Sequence, residues 1–183
     1  MIGTKIARLL IRMMGWRTEV SVPDYQRAII IVAPHTSNWD FIIGKLALAS
    51  VGRRADFLMK STWFFWPLGP IFRAMGGIPV YRDGSHGSLT QQIIGRFGEN
   101  RPMVLAITPE GTRSPVAKWR SGFWQVARAT GVPVLLATLD FRKKLATLTA
   151  ELPLTDSLDA DMQALKHYYV GITPRHPANF IVD

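Results

Sequence analysis

The 183-residue chain contains no cysteine. Disulfides, thiolate metal sites and a cysteine nucleophile are therefore excluded, and any acyl-enzyme would have to form on Ser, Thr or another group. No apolar run approaches the roughly 18 residues that a membrane-spanning helix needs. Lys5, Arg8 and Arg12 interrupt the first apolar stretch, so it does not read as a secretory signal. There is no Gly-x-Ser-x-Gly elbow, which leaves a serine hydrolase of that type poorly supported. There is no P-loop and no Gly-x-Gly-x-x-Gly fingerprint, so nucleotide-fold phosphate binding is not indicated. His86, His167 and His176 form no metal-ligand spacing with one another.

Acidic residues are the minority charge. Lys plus Arg number 22 against 13 Asp plus Glu, a net charge of +9, which calls for an anionic partner. Nucleic acid, an acidic membrane surface and a phosphorylated substrate all qualify. The length predicts one domain with a sizeable core, and the hydrophobic content excludes disorder. Aromatic residues cluster at Trp63, Phe64, Phe65, Trp66 and Phe72. Such a cluster forms either a buried loop and helix or an acyl-binding or interfacial surface.

The pattern along the chain alternates strand and helix. Residues 2–16 read as an amphipathic helix with Ile2, Ile6, Leu9, Leu10, Met13 and Met14 along one side and Lys5, Arg8 and Arg12 along the other. This helix is read as an interfacial anchor rather than a helix packed on the domain, because it is terminal, basic and ends at Trp16. Strands are predicted at 27–33, 55–59, 77–82, 103–108, 132–139 and 144–152. Helices are predicted at 40–51, 88–97, 123–130 and 159–169, with two short helical pieces within 61–75 and an irregular tail from Pro174. The fold class is α/β: a single domain with a mostly parallel or mixed central sheet flanked by helices, preceded by the N-terminal amphipathic helix. The boundaries are 1–16 for the membrane-surface helix and 17–183 for the domain.

Ligands of open α/β sheets sit beyond the carboxyl ends of the strands. His35, Arg82 and Glu110 each fall at or just past the end of a predicted strand, so three distant segments converge on one rim. His35 and Asp40 are five positions apart, which on one continuous helix is a rotation of about 140° and would splay them. A turn followed by a helix start brings them together. Asp40 then accepts from one imidazole nitrogen and leaves the other to take a proton. The alternative is a helix cap in a polar turn. Gly111 permits close backbone approach, Thr112 and Ser114 add hydroxyls, and Arg113 suits bidentate phosphate recognition. Glu110 is placed to pair with Arg113 or Arg82; the plain alternative is a structural ion pair beside a turn.

Taken together these segments resemble the glycerolipid acyltransferase family, which includes 1-acylglycerol-3-phosphate and glycerol-3-phosphate acyltransferases. The His-x4-Asp motif is matched by His35 and Asp40, and the Gly-to-Arg strand motif by Gly77 and Arg82. The Phe-Pro-Glu-Gly-Thr-Arg-Ser motif is matched by Pro109 through Ser114, with Thr108 in place of Phe. Val132-Pro133-Val134 matches a fourth motif, with Leu136 where Pro is frequent. Lys60, and the pair Arg120 and Gly122, also fit. The likeness spans about residues 30–140.

The resemblance implies direct acyl transfer in phospholipid biosynthesis by an O-acyltransferase. His35 would deprotonate the acceptor hydroxyl and Asp40 would orient His35. Lys60, Arg82, Glu110, Gly111, Thr112 and Arg113 would shape the substrate site, with the arginines on phosphate. No cofactor or metal is implied; acyl-CoA or acyl carrier protein is the co-substrate. The implied partners are a lysophospholipid acceptor and an anionic membrane surface, with no nucleic acid. The implied location is cytoplasmic, peripheral on the inner face of a bacterial cell membrane. A lipid or thioester hydrolase, or transfer to a non-glycerolipid acceptor, is the alternative.

Overall fold

The structure is a computed structural model that describes residues 2–81, 83, 86–99 and 101–182. Its centre is the run Arg27–Ala33, strand β2, in which every residue from Ala28 to Ile31 is buried. A strand covered on both faces needs apolar side chains at successive positions, which the β-branched Ile29-Ile30-Ile31-Val32 run supplies. Beside β2 lie β5 (Met103–Ile107) and β6 (Val134–Asp140), both parallel to it. Outside β5 come β3 (Asp56–Lys60) and then β4 (Gly77–Val80), again parallel. On the other side β7 (Leu145–Leu152) runs antiparallel to β6, and β1 (Arg17–Val20) closes that edge parallel to β7. The order is β1-β7-β6-β2-β5-β3-β4.

Helices α4 (Leu89–Gly98), α5 (Gly122–Thr130) and α6 (Leu158–Tyr168) cover the face carrying Ile29, Ile31 and Ala33. Helices α1 (Ile2–Met13) and α2 (Asn38–Ser50) cover the opposite face, against Ile30 and Val32. A 3₁₀ turn at Ser61–Trp63 and helix α3 (Leu68–Ala74) link β3 to β4. Gly77, which opens β4, lies where a Cβ would come within 2.8 Å of the Phe72 carbonyl oxygen, so the return from α3 into β4 requires glycine.

Two departures from the sequence reading bear on function. Helix α1 buries Ala7 and Ile11, while Ile6, Leu9, Leu10 and Met13 remain exposed. The helix is thus docked on α2, with Arg8 donating to the Ser50 carbonyl at 3.1 and 3.2 Å, yet its broad apolar stripe faces away from the domain. Strand β1 was not predicted: four residues of polar sequence, Arg-Thr-Glu-Val, at a sheet edge carry little alternation to detect. The aromatic cluster after β3 lies at the surface, with Trp63, Phe65 and Trp66 exposed.

The pairing of β3 with β5 is brief. It comprises Asp56↔Leu105 and Phe57↔Ala106, after which β3 continues beside β4 alone as far as Lys60↔Val80. The sheet therefore parts between β5 and β3 towards their carboxyl ends.

Candidate active site

All five central parallel strands end at one rim, and the residues that follow β2 and β5 make the site. Past β2 the chain turns at Pro34 and enters α2 with Ser37 as its N-cap. His35 and Asp40 meet across this turn, Nδ1 to Oδ2 at 3.3 Å. The Asp40 carboxylate is almost completely buried and is saturated with donors. Oδ2 accepts from the backbone N–H of Thr36 (2.6 Å) and of Ser37 (2.7 Å), and Oδ1 accepts from the Ser37 hydroxyl (3.0 Å). The His35–Asp40 pair and the helix cap are therefore one structure. The acid that holds the imidazole is the third residue of the helix, satisfying the N-terminal amides that have no intrahelical partner.

Past β5, Glu110 points inward. It is buried, and its Oε1 accepts the backbone N–H of His35 at 2.9 Å. Among the described residues it forms no ion pair with Arg113; Oε2 is buried without a hydrogen-bond partner. Burial pushes its carboxyl up to about 7, partly opposed by the His35 N–H and the His35 ring. Glu110 thus ties the loop after β5 to the loop after β2. Gly111 follows with φ of +66°, a conformation that glycine adopts without strain, and its face lies against the Arg120 guanidinium, where a Cβ would be 2.5 Å from Nε. Thr112 accepts from the Ser114 N–H at 3.2 Å, shaping the turn. Arg113 is exposed and donates to the Asn38 side-chain oxygen, so the first helical residue of α2 fixes its direction. Lys60 is exposed at the end of β3, and Arg82 lies outside the described residues.

A cavity of about 520 Å³ opens at His35, Asp40, Gly111 and Arg120. Its walls are mainly apolar and come from both faces of the sheet: Ile30, Val32 and Leu148 on the α2 side, Ile93 and Phe123 on the α4–α5 side. Phe57 and Leu58 of β3 and Ala106 and Ile107 of β5 line it where those strands part. Sequence reading did not find this space, because it depends on where strand pairing stops. It did note Arg120 but not that the side chain lies at the mouth. Inside, Lys45 donates to the carbonyls of Ala55 (2.9 Å) and Met75 (2.7 Å), and burial lowers its pKa. Among the described residues no cluster of three or more His, Asp or Glu is placed to hold a metal, and no helix is long and apolar enough to cross a membrane.

A base with a fixed orienter, cations beside it and an apolar cavity leading from it suit attack of a hydroxyl on a long-chain acyl group. A sequence-family profile described as Acyltransferase matches residues 17–138. No curated protein sequence matches the chain significantly. Among solved structures, the chain is similar to a 1-acyl-sn-glycerophosphate acyltransferase, PlsC, from Thermotoga maritima, with a TM-score of 0.58 and 19% sequence identity. That match covers 90% of this chain and 76% of the other, and it is a likeness of fold.

Proposed function

The chain belongs to the acyltransferase family, and from that premise we propose that it transfers a fatty acyl group from a thioester donor to a hydroxyl of a lysophospholipid such as 1-acylglycerol-3-phosphate. The observation that carries the reading is the position of the His35–Asp40 pair, its carboxylate buried, at the mouth of the apolar cavity. With Nδ1 facing Asp40, the other ring nitrogen, Nε2, takes the proton of the acceptor hydroxyl. The oxygen attacks the thioester carbonyl, an acyl–oxygen bond forms, and the carbon–sulfur bond breaks. The proton on Nε2 passes to the departing thiolate, so His35 returns to its starting state. Holding the acyl chain in the cavity places the carbonyl against His35 and excludes water from it.

The donor is acyl-CoA or acyl carrier protein, and no further cofactor enters this scheme. Arg113 and Arg120 serve the anionic end of the acceptor, and Lys60 and Arg82 belong to the same proposed site. The exposed stripe of α1, with Lys5 and Arg12 beside it, rests on an anionic membrane at the cytoplasmic face and delivers the mouth to lipid. The deciding experiment is a panel of hydroxyl acceptors presented with one acyl-labelled thioester. Label in a diacyl product supports the proposal. Label released as free acid at the same rate with and without acceptor replaces it with a thioester hydrolase.

A further inference from the structure

The segment after α6 lies beyond the stretch matched by the family profile, yet it is built into the catalytic rim. The Thr173 carbonyl accepts the Phe141 N–H at 2.8 Å. The backbone N–H of His176 donates to the Thr36 hydroxyl at 3.2 Å, one residue from His35. Farther along, the Trp119 indole donates to the Ile181 carbonyl at 3.2 Å. Residues 173–181 therefore run as a strap over the turn that joins His35 to Asp40.

Arg175 is the exposed cation of this strap. Its guanidinium lies 5.4 Å from the centroid of the Trp39 ring and 6.0 Å from that of Phe141. It has no ion pair and no hydrogen bond among the described residues. The nearby acid at the end of β6, Asp140, instead accepts the Lys143 N–H at 2.9 Å and has the Lys143 ammonium 3.6 Å away. An arginine lodged on aromatic faces keeps the N–H edge of its guanidinium available, and that planar fork matches phosphate oxygens. Three successive residues of one turn then hold three groups: Asn38 holds Arg113, Trp39 holds Arg175 and Asp40 holds His35. A second cation, with Arg113, is thereby fixed at the helix start that carries Asp40.

We propose that Arg175 is a phosphate-binding residue of the acyl-transfer site, taking a phosphate ester either from the phosphopantetheine arm of the thioester donor or from the phosphorylated acceptor. This rests on the acyltransferase reading. A charge-assisted hydrogen bond contributes roughly 1.5–3 kcal/mol, so Arg175→Gln should raise the Michaelis constant of the phosphate-bearing partner about 10- to 100-fold, with kcat changed less than about twofold. Arg175→Lys should recover part of the loss.

The arms of the test separate the two sources. Acyl-CoA is compared with acyl-pantetheine, which lacks the phosphate, and 1-acylglycerol-3-phosphate with 1-monoacylglycerol. A rise confined to either phosphorylated partner supports the proposal and names the source. An equal rise with the unphosphorylated partner, no rise at all, or weakened vesicle binding with both Michaelis constants unchanged overturns it. A fall in kcat accompanied by a lower melting temperature also overturns it, because the strap then only braces the turn. Calorimetric titration of the full chain with pantetheine 4′-phosphate and with glycerol 3-phosphate needs no turnover. If wild type transfers no acyl group the acyltransferase reading falls. Binding of either phosphate by wild type but not by Arg175→Gln then still supports a phosphate site, and equal binding by both proteins removes it.

Discussion

Asp40 Oδ2 lies 3.3 Å from His35 Nδ1 while the same oxygen accepts two backbone amides, from Thr36 and Ser37. One buried carboxylate holds the imidazole and starts the helix, so the two residues of the pair differ in what their removal costs.

His35→Ala should lower kcat by roughly 10²-fold or more while leaving the melting temperature near that of wild type, since Asp40 keeps its backbone and Ser37 donors without the imidazole. Asp40→Ala should lose activity and stability together, because it strands buried N–H donors at about 1–3 kcal/mol each. Steady-state rates alongside thermal melts distinguish the two. Full turnover in His35→Ala removes the base assigned here.

Glu110 gives a stability signature in pH. Burial raises its carboxyl from 4.5 to about 7, so between those values the folded chain keeps a proton that the unfolded chain releases. Its contribution is then full below pH 4.5 and is lost as pH rises through 7, a decline on the order of 2–3 kcal/mol. Glu110→Gln, which keeps an acceptor for the His35 N–H, should remove that slope. Urea midpoints at pH 5 and pH 8 test it: the variant should gain on wild type at the higher pH, and an equal difference at both would show that this carboxyl does not titrate there.

Gly44 sits within α2 in the cavity wall, with no atom within 4 Å of where its Cβ would be. Gly44→Ala should stabilise the helix by roughly 0.5–1 kcal/mol. Gly44→Leu should occupy cavity volume and shift donor preference to shorter acyl chains. Competition between thioesters of different length, scored by product mass, reads the shift. An unchanged chain-length profile would mean the acyl group lies elsewhere.

The exposed side of α1 predicts membrane contact without loss of fold. Leu9 is 59% and Met13 75% exposed, so Leu9→Glu with Met13→Glu should leave the melt unchanged and weaken co-sedimentation with anionic vesicles. Retained co-sedimentation in the double variant would reject this helix as the contact.

Arg113 faces solvent from a loop anchored by Asn38. Arg113→Ala should raise the Michaelis constant for a phosphorylated acceptor about tenfold and spare an unphosphorylated one. Equal losses with both would assign it to loop geometry.

What the sequence made legible was local. The β-branched run of β2, the Gly131 stop of α5 and the pairing of His35 with Asp40 follow from patterns within a few residues, and each appears in the structure within a residue or two of its expected place. What stayed hidden depends on contacts made at long range. Strand β1 owes its existence to the β7 edge, not to its own polar residues. The outward turn of the α1 stripe follows from Ala7 and Ile11 being the residues buried where the helix docks, Ile11 packing with Ile43 and Ala47 of α2. Spacing offered Glu110 as a partner for Arg113 or Arg82; that its loop aims it at the His35 amide is a long-range contact that spacing does not carry. Arg175 could not be placed until the strap was seen to cross Trp39.

The parted sheet has a further consequence. Strands β3 and β4 with helix α3 form a leaf hung on β5 by two residue pairs, and the cavity passes through the gap beside that hinge. An acyl chain lying in the cavity adds apolar contact that the empty protein lacks there, completing the core on that side. The leaf's amide hydrogens should therefore exchange with solvent ahead of those of β2 and β6, and slow when a chain is bound, making the rigidity of β3 and β4 a property of the loaded enzyme.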